Sequence, residues 1–188
     1  MARLSDIALI AQVVTFGNEQ AFAQLVQAHQ EAVRRFLIRL TSGDGMRADD
    51  LAQETFIRAW QGLKSFRQLS GFETWLLRIA YHVFLDDERK TTVGEEGLTM
   101  DENKLYPFDI PASSNDHPQS FSLRHDLDLA LATLSEAERT CVGLQCVEGQ
   151  SIRDIATITG FPENTVKSHL LRGKKNLADY LRRNGYGS

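Results

Sequence analysis

The sequence predicts an all-α protein: two small helical domains joined by a flexible acidic linker, the second carrying a helix-turn-helix. Three observations predict it. Apolar residues recur at helical spacing over residues 4–90 and again from about 123 to 183, and strand-type alternation is absent. Between those stretches periodicity lapses, and Pro107, Pro111 and Pro118 gather with an excess of acids. Finally, Glu148 to Leu177 reads as two short helices around a glycine turn. The expected division is 1–90, 91–122 and 123–188.

The first helix is expected over 4–16, with Leu4, Ile7, Ala8, Ala11 and Val14 on one side and Gly17-Asn18 ending it. Asn18 suits the N-cap of a long second helix whose core positions are Phe22, Leu25, Val26, Val33, Phe36, Leu37 and Leu40. Residues 41–45 form a loop. A third helix follows from about Arg47 to Leu63, and a fourth from about Gly71 to Lys90. Ala52, Phe56, Ala59 and Trp60 form the apolar face expected to turn the third helix inward. Beyond the linker, Leu123, Leu127, Leu131 and Leu134 make a helical stripe. Ser135 with Glu138 then signals a capped helix from Glu136 to Val147.

The last unit is the most explicit. Ser151 and Asp154 resemble a capping box, and Ile152, Ile155 and Ala156 give the helix an apolar face. Gly160 can take the left-handed conformation that ends it, and Pro162 suits the first turn of the next helix. There Val166, Leu170, Gly173 and Leu177 share one side. Ser168, Arg172 and Lys175 lie opposite, flanked by Lys167, His169 and Lys174. This is the layout of a DNA-binding helix-turn-helix, and residues 164–183 carry six basic residues against one acid.

Net charge is −4, so the chain is not coated in cations, but charge is segregated. Residues 1–90 are neutral, 91–122 carry −5 and 123–188 carry +1. Cys141 and Cys146 are neither a CxxC pair nor well spaced for a disulfide, so reduced thiols in a reducing compartment are expected. The apolar run at the N-terminus is broken too early for a signal peptide, and no stretch approaches the ~18 apolar residues that span a bilayer. A cytoplasmic protein without membrane insertion is expected. No catalytic constellation, metal site or cofactor motif stands out.

Two stretches of the first half carry further chemistry. On the third helix Asp50, Gln53, Glu54 and Ile57 share a face. Acids in the first turn meet the helix dipole favourably, which accounts for Asp49 and Asp50. Glu54 lies further in, and an apolar Ile57 beside acids also fits a partner surface. The segment Lys64 to His82 interleaves aromatic and basic residues, a pattern suited to unpaired bases and their phosphates. Trp75, Leu76, Ile79 and Ala80 fit a core equally well.

Taken together, Asp49 to Trp60, Phe72 to Ala80 and Glu148 to Leu177 resemble, in order, three segments of the bacterial RNA polymerase sigma factors of the small extracytoplasmic-function (ECF) group. The resemblance covers most of the chain outside the linker. It implies that Asp49, Asp50, Gln53, Glu54 and Ile57 bind core RNA polymerase. It implies that Phe66, Arg67, Gln68, Phe72, Trp75, Arg78 and His82 meet the opened minus-10 element of promoter DNA. It assigns Asn164, Thr165, Lys167, Ser168, His169, Leu171, Arg172, Lys174 and Lys175 to the minus-35 element, with Arg172 as base reader. An anti-sigma factor is the further partner it implies.

The chain departs from the family where His82 replaces a frequent Asn, and where Asp86-Asp87-Glu88 would repel phosphate unless they face away. Two other classes compete with this reading. One is a helix-turn-helix regulator with a helical sensor or dimerisation domain. The other is a DNA-processing enzyme such as a serine recombinase, which needs strands that the first 90 residues lack.

Overall fold

The computed structural model describes residues 4–94, 129–131 and 133–186, and no strand occurs among them. The acidic stretch and the stripe residues Leu123 and Leu127 lie outside the described residues, apart from the first few positions after Lys90. The helices are α1 (Leu4–Phe16), α2 (Glu19–Leu40), α3 (Gly45–Gly62), α4 (Phe72–Gly94), α5 (Glu136–Cys146), α6 (Ile152–Thr159) and α7 (Glu163–Arg183). A single 3-10 turn, Leu63–Ser65, follows α3. Helix α4 passes the expected end at Lys90 and runs to Gly94.

Local signals set the helix ends. The Asn18 side chain accepts from the Ala21 amide at 3.1 Å, and Asp44 does the same for Arg47 at 3.0 Å. Ser135 and Glu138 form a reciprocal capping box. At α6 the reciprocity is incomplete. Ser151 caps the Asp154 amide, but Asp154 takes its bond from the Ser151 hydroxyl at 2.6 Å, because an Asp is too short to reach back to the backbone. Gly160 ends α6 in the left-handed region, at φ 78°. Pro162 stands one position earlier than expected, as the N-cap of α7.

Helix α2 is the axis of the first domain and packs against α1, α3 and α4. Leu25, Val33, Phe36, Leu37 and Leu40 are buried as expected, while Phe22 is only partly covered. Two expected faces are rotated. Helix α1 turns Asp6, Ile10 and Val13 inward, leaving Ala8, Ala11 and Val14 exposed. The cause is a polar pair. Buried His29 of α2 donates from Nε2 to Asp6 Oδ2 at 3.2 Å, so a carboxylate occupies the inner face. Helix α3 buries Ala48, Leu51, Thr55 and Ala59, and Trp60 stays 38% exposed with its ring edge-on to Phe22. Thr55 can be buried because its hydroxyl donates to the Leu51 carbonyl at 2.7 Å.

In the second domain α5 packs on α7, and α6 lies against both. Gly173 sits at the closest approach of α7 to α5, rather than to α6. A Cβ there would stand 2.8 Å from Val142 Cγ2 and 3.3 Å from Glu138 Cβ. Gly173→Ala should therefore destabilise the domain by about 1–3 kcal/mol through overpacking, although alanine favours an open helix by ~1 kcal/mol. Chemical denaturation checks this, and a variant as stable as the parent contradicts it.

Candidate nucleic-acid interface

The acidic face of α3 is open. Asp49, Asp50 and Gln53 are exposed, and Ile57 is 46% exposed. Asp49 accepts from Arg34 Nε of α2 at 2.6 Å. A shallow groove runs beside this face between α2 and α3, from Val26 and Gln30 to Gln53 and Phe56. Glu54 is half-buried because Arg58, one turn on, donates to it at 2.7 Å.

The second surface follows the 3-10 turn. Arg67 and Gln68 are exposed on the loop, and Gln68 holds φ 55°, a conformation uncommon outside glycine. The next residues form an aromatic cluster. Phe66 packs on Phe72 and Trp75, with ring centroids 5.8 and 5.2 Å away. Phe72 is 1% exposed and also meets His29 edge-on. It lies beneath the surface, a correction to its expected place among strand-facing residues. Trp75 is half-buried, and Arg78 and His82 are exposed one and two turns further along α4. These three line an open groove with Arg58, Gly62, Ser65 and Ile79. Sequence reasoning passed over Arg58, although its spacing from Glu54 was there to read.

Arginines of α3 meet the charge of the three acids of α4, but Asp86, one turn beyond His82, stays beside the groove through its pairing with Arg58. Arg58 Nη1 donates to Asp86 at 2.7 Å, and Arg47 Nε donates to Asp87 at 2.8 Å. Arg47 also pairs with Glu88, and its guanidinium lies 5.8 Å from the Phe84 ring centroid. The hydrogen bond from Arg58 holds the Asp86 carboxyl below the usual range.

The third surface is α7. Val166, Leu170 and Gly173 are buried, and Leu177 is half-buried. Asn164, Lys167, Ser168, Leu171, Arg172, Lys174 and Lys175 are exposed, and Thr165 and His169 are partly so. Leu171 is 74% exposed, which no internal packing explains. Arg172 rests 3.2 Å from His169 Nδ1 and 3.4 Å from Glu138.

The two domains are in contact. Helix α4 packs on α6, and α2 on α5. Glu148 is almost completely buried between Arg39 and Arg35, both on α2. Burial pushes the Arg39 pKa below its ordinary value, against the attraction of Glu148, and its Nε atom has no partner. Thr74 donates to Gln150 at 3.1 Å, and Gln150 donates to Glu73 at 3.3 Å. The interface thus holds a desolvated ion pair beside an apolar core that is continuous across both domains. Such a pair adds little net stability.

Two helical domains, an open acidic face, an aromatic and cationic groove and an exposed basic recognition helix define a helix-turn-helix protein built to meet both a protein partner and DNA. Residues 25–92 match the Sigma-70 region 2 family model, and residues 124–177 match the model of Sigma-70, region 4. The ECF RNA polymerase sigma factor SigW of Bacillus subtilis is 31% identical over 175 residues, covering 88% of this chain and 91% of that protein. The ECF RNA polymerase sigma-E factor of Haemophilus influenzae is 31% identical over 186 residues, covering 95% and 96%. The sigma factor RpoE of Bartonella quintana, solved in complex with the anti-sigma factor NepR, is 28% identical with a TM-score of 0.68, covering 86% of this chain and 96% of that one. The chain belongs to the ECF RNA polymerase sigma factors, and its function is promoter-specific transcription initiation. Among the described residues no helix is long and apolar enough to cross a membrane.

The contact between the domains has a direct test. Glu148→Lys places a third cation between Arg35 and Arg39. It should separate the domains and raise the radius of gyration measured by small-angle scattering, with helix content unchanged. An unchanged radius contradicts the importance of this ion pair.

Proposed function

We propose that this sigma factor is a two-point promoter reader whose first domain grips core polymerase and an opened strand, while its second reads duplex DNA. The first domain comprises residues 1–90 with the end of α4, residues up to 122 form the linker, and 123–188 form the second domain. The acidic face of α3, with Asp49, Asp50, Gln53, Glu54 and Ile57, docks on polymerase. The loop residues Phe66, Arg67 and Gln68 hold a base of the minus-10 element, and Trp75, Arg78 and His82 guide the strand. Phe72 supports them from below. Residues Asn164 to Lys175 on α7 meet the minus-35 element. The reading rests chiefly on one observation: α7 turns its apolar side inward and leaves every cation from Lys167 to Lys175 exposed.

Few phosphates are neutralised by so few cations, so each domain alone binds DNA weakly. Joining two weak readers on polymerase supplies the specificity. The linker of about 30 residues reaches ~100 Å when fully extended. Two promoter elements one and a half turns apart lie ~50 Å apart along the duplex. The linker therefore spans them drawn out. Chemistry stays with polymerase, and the chain itself performs no catalytic step. Because the Bartonella relative was solved with an anti-sigma factor, a partner of that kind is proposed here too. Its setting is the cytoplasm, beside polymerase and DNA.

Two outcomes follow. Asp50→Arg combined with Glu54→Arg should abolish co-purification with core polymerase while leaving the far-ultraviolet circular dichroism intact. Undiminished co-purification contradicts the docking assignment. Arg172→Ala should weaken the best minus-35 site by about 1–3 kcal/mol relative to a scrambled site, measured by fluorescence anisotropy. Equal losses on both sites reduce Arg172 to a phosphate contact.

A further inference from the structure

Arg58 joins two surfaces to which separate tasks were given. It starts on the polymerase-docking helix, one turn after Glu54, and its guanidinium ends in the groove of α4 beside Trp75, Arg78 and His82. Two carboxylates hold it there. Nε donates to Glu54 Oε1 at 2.7 Å, and Nη1 donates to Asp86 Oδ2 at 2.7 Å. Arg89 also approaches Asp86, at 3.7 Å. The two carboxylates mask this guanidinium from a phosphate. All three groups are partly open to solvent: Arg58 is 35% exposed, Glu54 44% and Asp86 40%. Ion pairs this exposed are weak, so the guanidinium is readily released.

A purely structural role for Arg58, stapling α3 to α4, is already filled by Arg47. That residue holds Asp87 and Glu88 and stacks near Phe84, and it does not line the groove. We propose that Arg58 is a further strand-contacting residue of the groove. In the free protein Glu54 and Asp86 hold it neutralised; docking on polymerase engages Glu54 and frees it for a phosphate of the opened strand. The inference rests on the assignment of the groove to single-stranded DNA and of Glu54 to docking. It supplies what those assignments lack, a physical link by which docking strengthens the grip on DNA.

The test uses the full chain without polymerase and a fluorescein-labelled single strand of about 20 nucleotides of mixed sequence, followed by anisotropy at low salt. Asp86→Asn should tighten strand binding roughly three- to tenfold and steepen the salt dependence by ~0.7. Glu54→Gln, which imitates the loss of that carboxylate to polymerase, should give a gain of the same kind. Both gains should vanish when Arg58→Gln is added. Asp87→Asn, which removes an acid paired to Arg47 instead, should leave affinity within about twofold. A gain that survives Arg58→Gln, or one given equally by Asp87→Asn, overturns the proposal, since mere removal of negative charge then explains it. A gain from Asp86→Asn with none from Glu54→Gln overturns the link to docking. Arg78→Ala separates the two failures. If it weakens strand binding while Asp86→Asn brings no gain, the groove assignment stands and the role of Arg58 falls. If Arg78→Ala changes nothing in any background, the groove assignment falls as well.

Discussion

Two arginines of α3 hold the three consecutive acids of α4, and the character of the first domain depends on that pairing. Arg47 takes Asp87 and Glu88, and Arg58 takes Asp86. Unpaired, those carboxylates would leave a patch of −3 on the helix proposed to guide the opened strand. Paired, their charge is met by α3, and Asp86 shares a side of α4 with the groove residues Trp75 and His82. Helices α3 and α4 can be brought this close because small residues line their inner sides, Ala48 and Ala59 on one and Ala80 on the other, all buried.

The contact between the domains follows a different logic. It holds a charged, desolvated pair beside apolar contacts, and one nitrogen of Arg39 is unsatisfied. An unpaired buried donor costs free energy that a purely structural interface has no reason to keep. The arrangement fits the proposed reading, in which the two domains part on promoter DNA. Thr74 and Glu73, at the start of α4, are covered by this contact through Gln150, whereas the basic side of α7 is free.

Features governed by neighbours in sequence were legible. The helix-turn-helix was read from Ser151, Gly160 and Pro162 because caps, a left-handed turn and amphipathic spacing act over a few residues. The inward side of α7 was read correctly for the same reason. Features governed by distant neighbours were not. The inner face of α1 holds Asp6, whose partner His29 lies 23 positions away, so hydrophobicity pointed to the wrong side. Thr55 replaced Phe56 and Trp60 at the centre of the α3 contact by bonding to its own helix. The acids of α4 read as a liability until Arg47 and Arg58, 28 to 41 positions earlier, were seen to hold them. Phe72 was placed at the DNA surface because an aromatic beside arginines looks the same in sequence whether it stacks on a base or on Trp75. Glu148 carried no signal at all, since its partners on α2 are 109 and 113 residues away.

The central claim is that neither domain reads a promoter alone and that polymerase joins them. The direct measurement compares the affinity of the free chain and of the chain bound to core polymerase for one promoter, selected from a library by transcription in vitro, under identical salt. The account predicts that core polymerase raises the chain's specific affinity by roughly 10²-fold or more. It also predicts that separating the two promoter elements by half a helical turn removes most of that gain. A free chain that binds the intact promoter duplex as tightly as the polymerase-bound chain, or a gain indifferent to that spacing, would contradict it.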